Sequence, residues 1–119
     1  MKDFNRLDRL SSQMKRELSE IITTHSNLPQ GLIISVIDIE VSRDLRVCKV
    51  FYSVFGGDEA IEKAQNFLSK YNKSIRMELA HRLSIRITPE LRFNYDASLE
   101  RGQRINELLD RIKHDDEQQ

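Results

Sequence analysis

From Ala60 to Leu83 the chain carries one apolar stripe at helical spacing, formed by Ala60, Ile61, Ala64, Phe67, Leu68, Tyr71, Ile75, Leu79 and Leu83. Taken literally, and counted from Asp58, this is a single helix of about 26 residues, longer than the roughly 8 to 20 usual in globular proteins. At about 100° per residue, however, Asn72 falls inside the apolar arc. A polar side chain is awkward there, and Asn enters left-handed backbone more readily than most residues. The pattern therefore predicts a break at Tyr71, Asn72 and Lys73, with a second helix running to about Arg82.

The preceding sequence supplies strands and another helix. Leu7, Leu10, Met14, Leu18, Ile21 and Ile22 define the apolar face of a helix over residues 5 to 24, which Asn27, Pro29 and Gly31 close. From Leu32 to Ser42 the chain alternates, with Ile33, Ile37, Ile39 and Val41 on one side and Asp38 and Glu40 on the other. A second strand from Leu45 to Phe55 follows after only Arg43 and Asp44, which predicts an antiparallel hairpin without the Gly usual in so tight a turn. This strand is apolar on both faces: Cys48, Val50, Tyr52 and Val54 on one, Val47, Phe51 and Phe55 on the other. It should be central in the sheet or covered by more than one element. Gly56 and Gly57 end the hairpin, and Asp58 is expected to cap the next helix.

Downstream, Pro89 forces Thr88 to be extended and opens a short strand from Leu91 to Tyr95, with Leu91, Phe93 and Tyr95 on one face. A last helix is expected from Leu99 to Lys113, docking through Ile105, Leu108, Leu109 and Ile112, before a polar tail at 114–119. The order helix, strand, strand, helix, helix, strand, helix predicts an α+β domain at 1–113, with helices against a three-stranded sheet.

Composition excludes several classes of function. A lone Cys48 makes no internal disulfide, which points to a reducing compartment, most simply the cytoplasm. No secretory leader and no membrane-spanning run is visible. His25, His81 and His114 lack metal-ligand spacing, and the glycines at 31, 56, 57 and 102 form no phosphate-binding loop. Cys48 reads as a core thiol, so no catalytic residue, metal or cofactor is expected and the chain is not read as an enzyme.

Charge gives a more positive lead. The chain's net charge is +0, yet Lys70, Lys73, Arg76, Arg82, Arg86 and Arg92 face only Glu78, Glu90 and Asp96 between residues 70 and 96. Lys70 and Lys73 lie away from the apolar arc and Arg76 at its border. Arg82 projects near the arc, where it could serve the helix C-terminus. Long cations on successive turns can follow a phosphate backbone, and N–H groups freed at a helix break can contact phosphates directly.

Ser42-Arg43-Asp44-Leu45 at the hairpin, Ile75-Arg76 leading into Leu79 and Leu83, and Pro89-Glu90-Leu91-Arg92-Phe93 ending at Asp96 resemble the signature of the bacterial ribosome-binding factor A family. The resemblance covers nearly the whole chain. It implies a type II KH-like fold, binding to the small ribosomal subunit, a role in late assembly and in processing the 5′ end of the small-subunit rRNA precursor, and a link to cold adaptation. Where the family has a small-residue Ala-x-Gly kink between its two helices, this chain has Tyr71, Asn72 and Lys73. Without the Gly-rich KH loop that reads single-stranded bases, structured rRNA should be held mainly by phosphate contacts and shape.

The expected RNA-binding residues are thus Lys70, Asn72, Lys73, Arg76, Arg82, Arg86 and Arg92, with Arg43, Arg46, Arg6 and Arg9 as secondary positions. The expected partners are small-subunit rRNA and the free or immature small subunit, bound by a monomer, with no membrane and no small-molecule substrate. The competing reading is a protein-interaction module that uses the outer hairpin face (Val47, Phe51, Phe55) or the last helix, although the chain's own last helix is the more natural cover for that face.

Overall fold

The apolar stripe of the first helix determines which side of the sheet is covered. In the computed structural model, which describes residues 2–85 and 88–97, helix α1 (Lys2–Thr23) buries Met14, Leu18, Ile21 and Ile22 against the sheet. Strands β1 (Ile33–Val41) and β2 (Val47–Phe55) pair antiparallel, and β3 (Glu90–Tyr95) joins β2 in parallel, giving the order β1-β2-β3. The second strand is therefore central, as its two apolar faces require. A parallel neighbour needs a crossover, and helices α2 (Gly57–Lys70) and α3 (Asn72–Leu83) supply it. This is the element order expected of a type II KH-like fold.

Strand β1 departs from simple alternation. Val36 pairs with Tyr52 and Asp38 with Phe51, so Ile37 is an extra, bulged residue. A bulge shifts the side-chain phase by one. Leu32 and Ile34 point inward before it, and Ile39 after it. Ile33, expected on the same side as Ile39, instead lies outside beside Phe55, where the two are 54% and 78% exposed.

The hairpin link is longer than the expected Arg43-Asp44 and occupies residues 42–46. Leu45 N–H donates to the Ser42 carbonyl at 2.9 Å, and Leu45 takes φ 61 where a Gly would be usual. Left-handed backbone costs a non-Gly residue roughly 1–2 kcal/mol, and side-chain bonds offset it. The Ser42 hydroxyl donates to Asp44 Oδ1 at 2.7 Å, Arg46 N–H donates to the same oxygen at 3.2 Å, and Val47 N–H donates to Ser42 Oγ at 3.0 Å. The Ser42 hydroxyl and then the Arg46 N–H hold the Asp44 carboxyl below its ordinary 3.8.

Cys48 is fully buried on the inner face of β2, and desolvation pushes its thiol up to about 11, in keeping with a packing role. Helix α2 begins at Gly57, earlier than expected. Gly56, not Asp58, is its N-cap, at φ 121, and a Cβ there would approach Ala60 Cβ to 3.1 Å. Asp58 and Glu59 sit in the first turn, where their charge favours the helix dipole.

The interruption occurs where the stripe places it, by a different means. Tyr71 ends α2 and caps α3 at φ −104 and ψ 14. Asn72 is helical, and Ser84 (φ 52), which terminates α3, is the left-handed residue instead. Asn72 is tolerated inside the apolar arc because its Nδ2–H donates to the Leu91 carbonyl at 3.1 Å. Arg76 Nη2 likewise donates to the Thr88 carbonyl at 2.7 Å. Leu91 is buried beneath this edge, and Phe93 and Tyr95 meet Tyr52 edge-on, with ring centroids 6.4 and 5.9 Å away. The helix expected at Leu99–Lys113 and the polar tail lie outside the described residues.

Asn72→Ala should lower unfolding free energy by about 1–3 kcal/mol in urea titrations, because it strands the Leu91 carbonyl, whereas Met77→Ala, on a side chain 62% exposed, should stay within about 0.5 kcal/mol. The Asp44 contribution has a defined sign: a carboxyl depressed in the folded state stabilises fully above its unfolded value and loses that contribution as pH falls through the folded one. Asp44→Ala should therefore lower the urea midpoint at neutral pH, and the gap to the parent chain should narrow in acid.

Candidate nucleic-acid interface

Helices α1 and α3 run antiparallel, and this sorts the basic residues into separate places. At one end His25 Nε2 lies 3.4 Å from Ser74 Oγ; at the other, Arg82 reaches Glu17 and Glu20 of α1. The α2–α3 break is at the His25 end. Here Lys70, Lys73 and Arg76 are exposed, and Lys70 and Lys73 pair with no carboxylate among the described residues. Lys70 Nζ instead lies 5.5 Å from the Tyr71 ring centroid. The backbone ladder across the break consists of Tyr71 N–H to the Phe67 carbonyl and Ile75 N–H to the Tyr71 carbonyl, leaving the N–H groups of Asn72, Lys73 and Ser74 at the first turn of α3.

Arg82 is elsewhere and differently employed. Its Nη1 is 3.1 Å from Glu17 Oε2 and from Glu20 Oε1, and its Nε is 3.1 Å from Glu78 Oε1. Bonding to Glu17 and then to Glu78 raises its pKa further above the ordinary arginine value. With its side chain only 24% exposed inside this acidic clasp, Arg82 joins α3 to α1 rather than serving the helix C-terminus. It offers little free charge to a phosphate.

Arg92 stands on the outer face of the sheet beside Lys49 and pairs with Glu90 at 3.4 Å. Arg43 and Arg46 occupy the hairpin turn, where Arg46 approaches Asp44 to 3.8 Å. Leu10 and Met14 line an apolar cavity together with Leu45, Arg46, Ile85 and Pro89, which sets Arg6 and Arg9 near the same end of the molecule as the turn. Along α1, Arg9 is roughly 24 Å from His25 at 1.5 Å per residue. Arg86 lies outside the described residues. The positive segment contiguous in sequence is thus divided in space, and Lys70, Asn72, Lys73 and Arg76 are the part brought together.

One neighbour has no signal in the linear pattern. His25 packs against Phe67 (5.2 Å, interplanar 85°) and Tyr71 (4.9 Å, 51°), and those two rings meet at 5.2 Å. Phe67 and Tyr71, four residues apart, could be read as one helical contact, but the loop histidine reaches them only through the tertiary fold.

The ribosome-binding factor A family model matches residues 6–109. This chain belongs to that family. It is 43% identical over 112 residues to ribosome-binding factor A of Halothermothrix orenii, covering 94% of this chain and 92% of the relative. It is 35% identical over 116 residues to that of Aromatoleum aromaticum, covering 98% and 91%. The crystal structure of ribosome-binding factor A from Thermus thermophilus superposes with a TM-score of 0.65 at 27% identity, covering 75% of this chain and 93% of the other. A Thermus thermophilus ribosome-binding factor A homology model fitted into a cryo-electron-microscopy map of its 30S complex gives 0.63, with the same identity and coverage. Among the described residues no helix is long and apolar enough to cross a membrane, and no group of His, Cys, Asp and Glu could hold a metal ion.

Because Arg82 holds three carboxylates from two helices, Arg82→Ala should lower the urea midpoint more than Arg92→Ala, whose single exposed partner contributes little. The deficit should shrink in high salt as the remaining glutamates are screened from one another.

Proposed function

We propose that this chain is a non-enzymatic assembly factor that binds rRNA of the immature small ribosomal subunit in the cytoplasm. In that role it assists late maturation, including processing of the 5′ end of the rRNA precursor, and supports growth in the cold. The observation that carries the reading is the cluster at the α2–α3 break. Among the described residues Lys70 and Lys73 pair with no carboxylate, and they lie beside the first turn of α3, which has no side-chain cap, in a chain with no net charge. Such a cluster suits a phosphate backbone. The 30S complex of the Thermus thermophilus relative supports the small subunit as the partner. Arg76 contributes charge as well, although its bond to the Thr88 carbonyl also gives it a part in the fold. The chain acts as a monomer and takes no small-molecule substrate.

A second reading, docking of a protein on the outer hairpin face, is favoured by the exposed pair Ile33 and Phe55, which are cross-strand partners. Val47 and Phe51 on the same face are half-buried.

Lys70→Glu with Lys73→Glu should reduce cosedimentation with precursor small subunits while the far-ultraviolet circular dichroism stays unchanged. The parent chain's affinity should fall with salt at a slope of roughly −0.7 to −0.9 per phosphate contact, and the double variant should show a shallower slope. A flat salt response in the parent chain would instead favour the hairpin face.

A further inference from the structure

Tyr71 occupies the break itself, half-exposed, with cations on either side of it in sequence and no acidic residue between Lys63 and Glu78. Its ring is backed by Phe67 and His25. The His25 ring is fixed in turn: Nδ1 accepts from Asn27 N–H at 3.1 Å, which leaves the proton on Nε2 toward Ser74 Oγ at 3.4 Å. The aromatic group is therefore held in one orientation before any ligand arrives. Lys70 Nζ, an ammonium on a flexible exposed stem, lies 5.5 Å from the Tyr71 ring centroid and forms no ion pair among the described residues. Such an exposed contact is worth little and is readily exchanged.

We propose that Tyr71 is a stacking platform for a single unpaired nucleobase of RNA. The base replaces the Lys70 ammonium against the ring, and Lys70, with the first-turn N–H groups of α3, takes the phosphate flanking that base. The proposal rests on the RNA-binding reading above and adds a base contact to what is otherwise a backbone contact. A π-face, a displaceable cation and free N–H donors together match a nucleotide, whereas phosphate alone would need no aromatic group and an acidic peptide would need no ring face.

The test uses the full chain and short single-stranded RNA oligonucleotides of mixed sequence, each carrying one fluorescent base analogue that is quenched by stacking. Tyr71→Leu retains an apolar group against His25 and Phe67 but has no ring, and Tyr71→Phe retains the ring. The parent chain and Tyr71→Phe should quench the analogue. Tyr71→Leu should lose the quench and weaken binding roughly 5- to 100-fold with an unchanged salt slope, since stacking releases no counterions. Placing an abasic nucleotide where the analogue quenches should abolish the difference between parent and Tyr71→Leu. Equal quenching by parent and Tyr71→Leu overturns the proposal, as does absence of quenching in the parent chain, or a Tyr71→Phe defect equal to that of Tyr71→Leu. These outcomes are separable from failure of the phosphate reading, which appears in the salt slope of the Lys70→Glu, Lys73→Glu variant.

Discussion

The open edge of β3 sets the constraint on which the rest of the structure depends. A strand added in parallel at the edge of a three-stranded sheet leaves one row of carbonyls without strand partners, and buried polar groups must be satisfied. Helix α3 lies along that edge and donates from Asn72 to the Leu91 carbonyl of β3 and from Arg76 to the Thr88 carbonyl just ahead of the strand. These bonds fix both the position and the phase of α3. With Asn72 turned to the strand, Ile75 and Leu79 fall into the core, and Lys73 is carried to the surface. The break at Tyr71 follows from the same geometry, because α2 must cover β2 while α3 follows β3 and α1.

Antiparallel packing of α1 on α3 then divides the charge. The acidic residues Glu17 and Glu20 of α1 and Glu78 of α3 meet Arg82, so one strong cation is consumed in joining the helices. Surface ion pairs are individually weak, but this one concentrates negative charge away from the break. A molecule with a net charge of zero thereby gains an end where Lys70 and Lys73 meet no carboxylate among the described residues. The electrostatic asymmetry is a product of the fold.

Much of this architecture was legible in the sequence because it follows from periodicity. The stripe in α1, the hairpin, the central position of β2, the helix break and the inward row Leu91, Phe93 and Tyr95 all express repeats of 3.6 or 2 residues. The failures share a cause. The bulge at Ile37 and the left-handed Leu45 are single-residue events with no period, so the exposure of Ile33 and the length of the turn could not be read from alternation. The capping role given to Asp58 failed because Gly56 had already turned the chain. For the candidate site, exposure of Lys70 and Lys73 followed from the helical arc, but the clasp on Arg82 and the approach of His25 to Tyr71 join residues far apart in sequence.

The family resemblance implies small residues at this helix break, a kink that would let a polynucleotide backbone approach the helix closely. Tyr71-Asn72-Lys73 fills that space with side chains, and each has a distinct physical consequence. Asn72 turns inward, and its amide is spent on the Leu91 carbonyl, so it stabilises the bend rather than presenting a polar group to solvent. Lys73 is exposed, and on the proposed reading it restores, as a flexible charge, attraction that close backbone approach would otherwise supply. Tyr71 adds a rigid aromatic surface that costs little conformational entropy to use, since His25 and Phe67 already restrain it. On the proposed reading, the bulkier break exchanges intimate backbone contact for a longer-range charge and a stacking face. Salt would weaken the first and leave the second largely intact, so the two contributions are distinct in kind as well as in location.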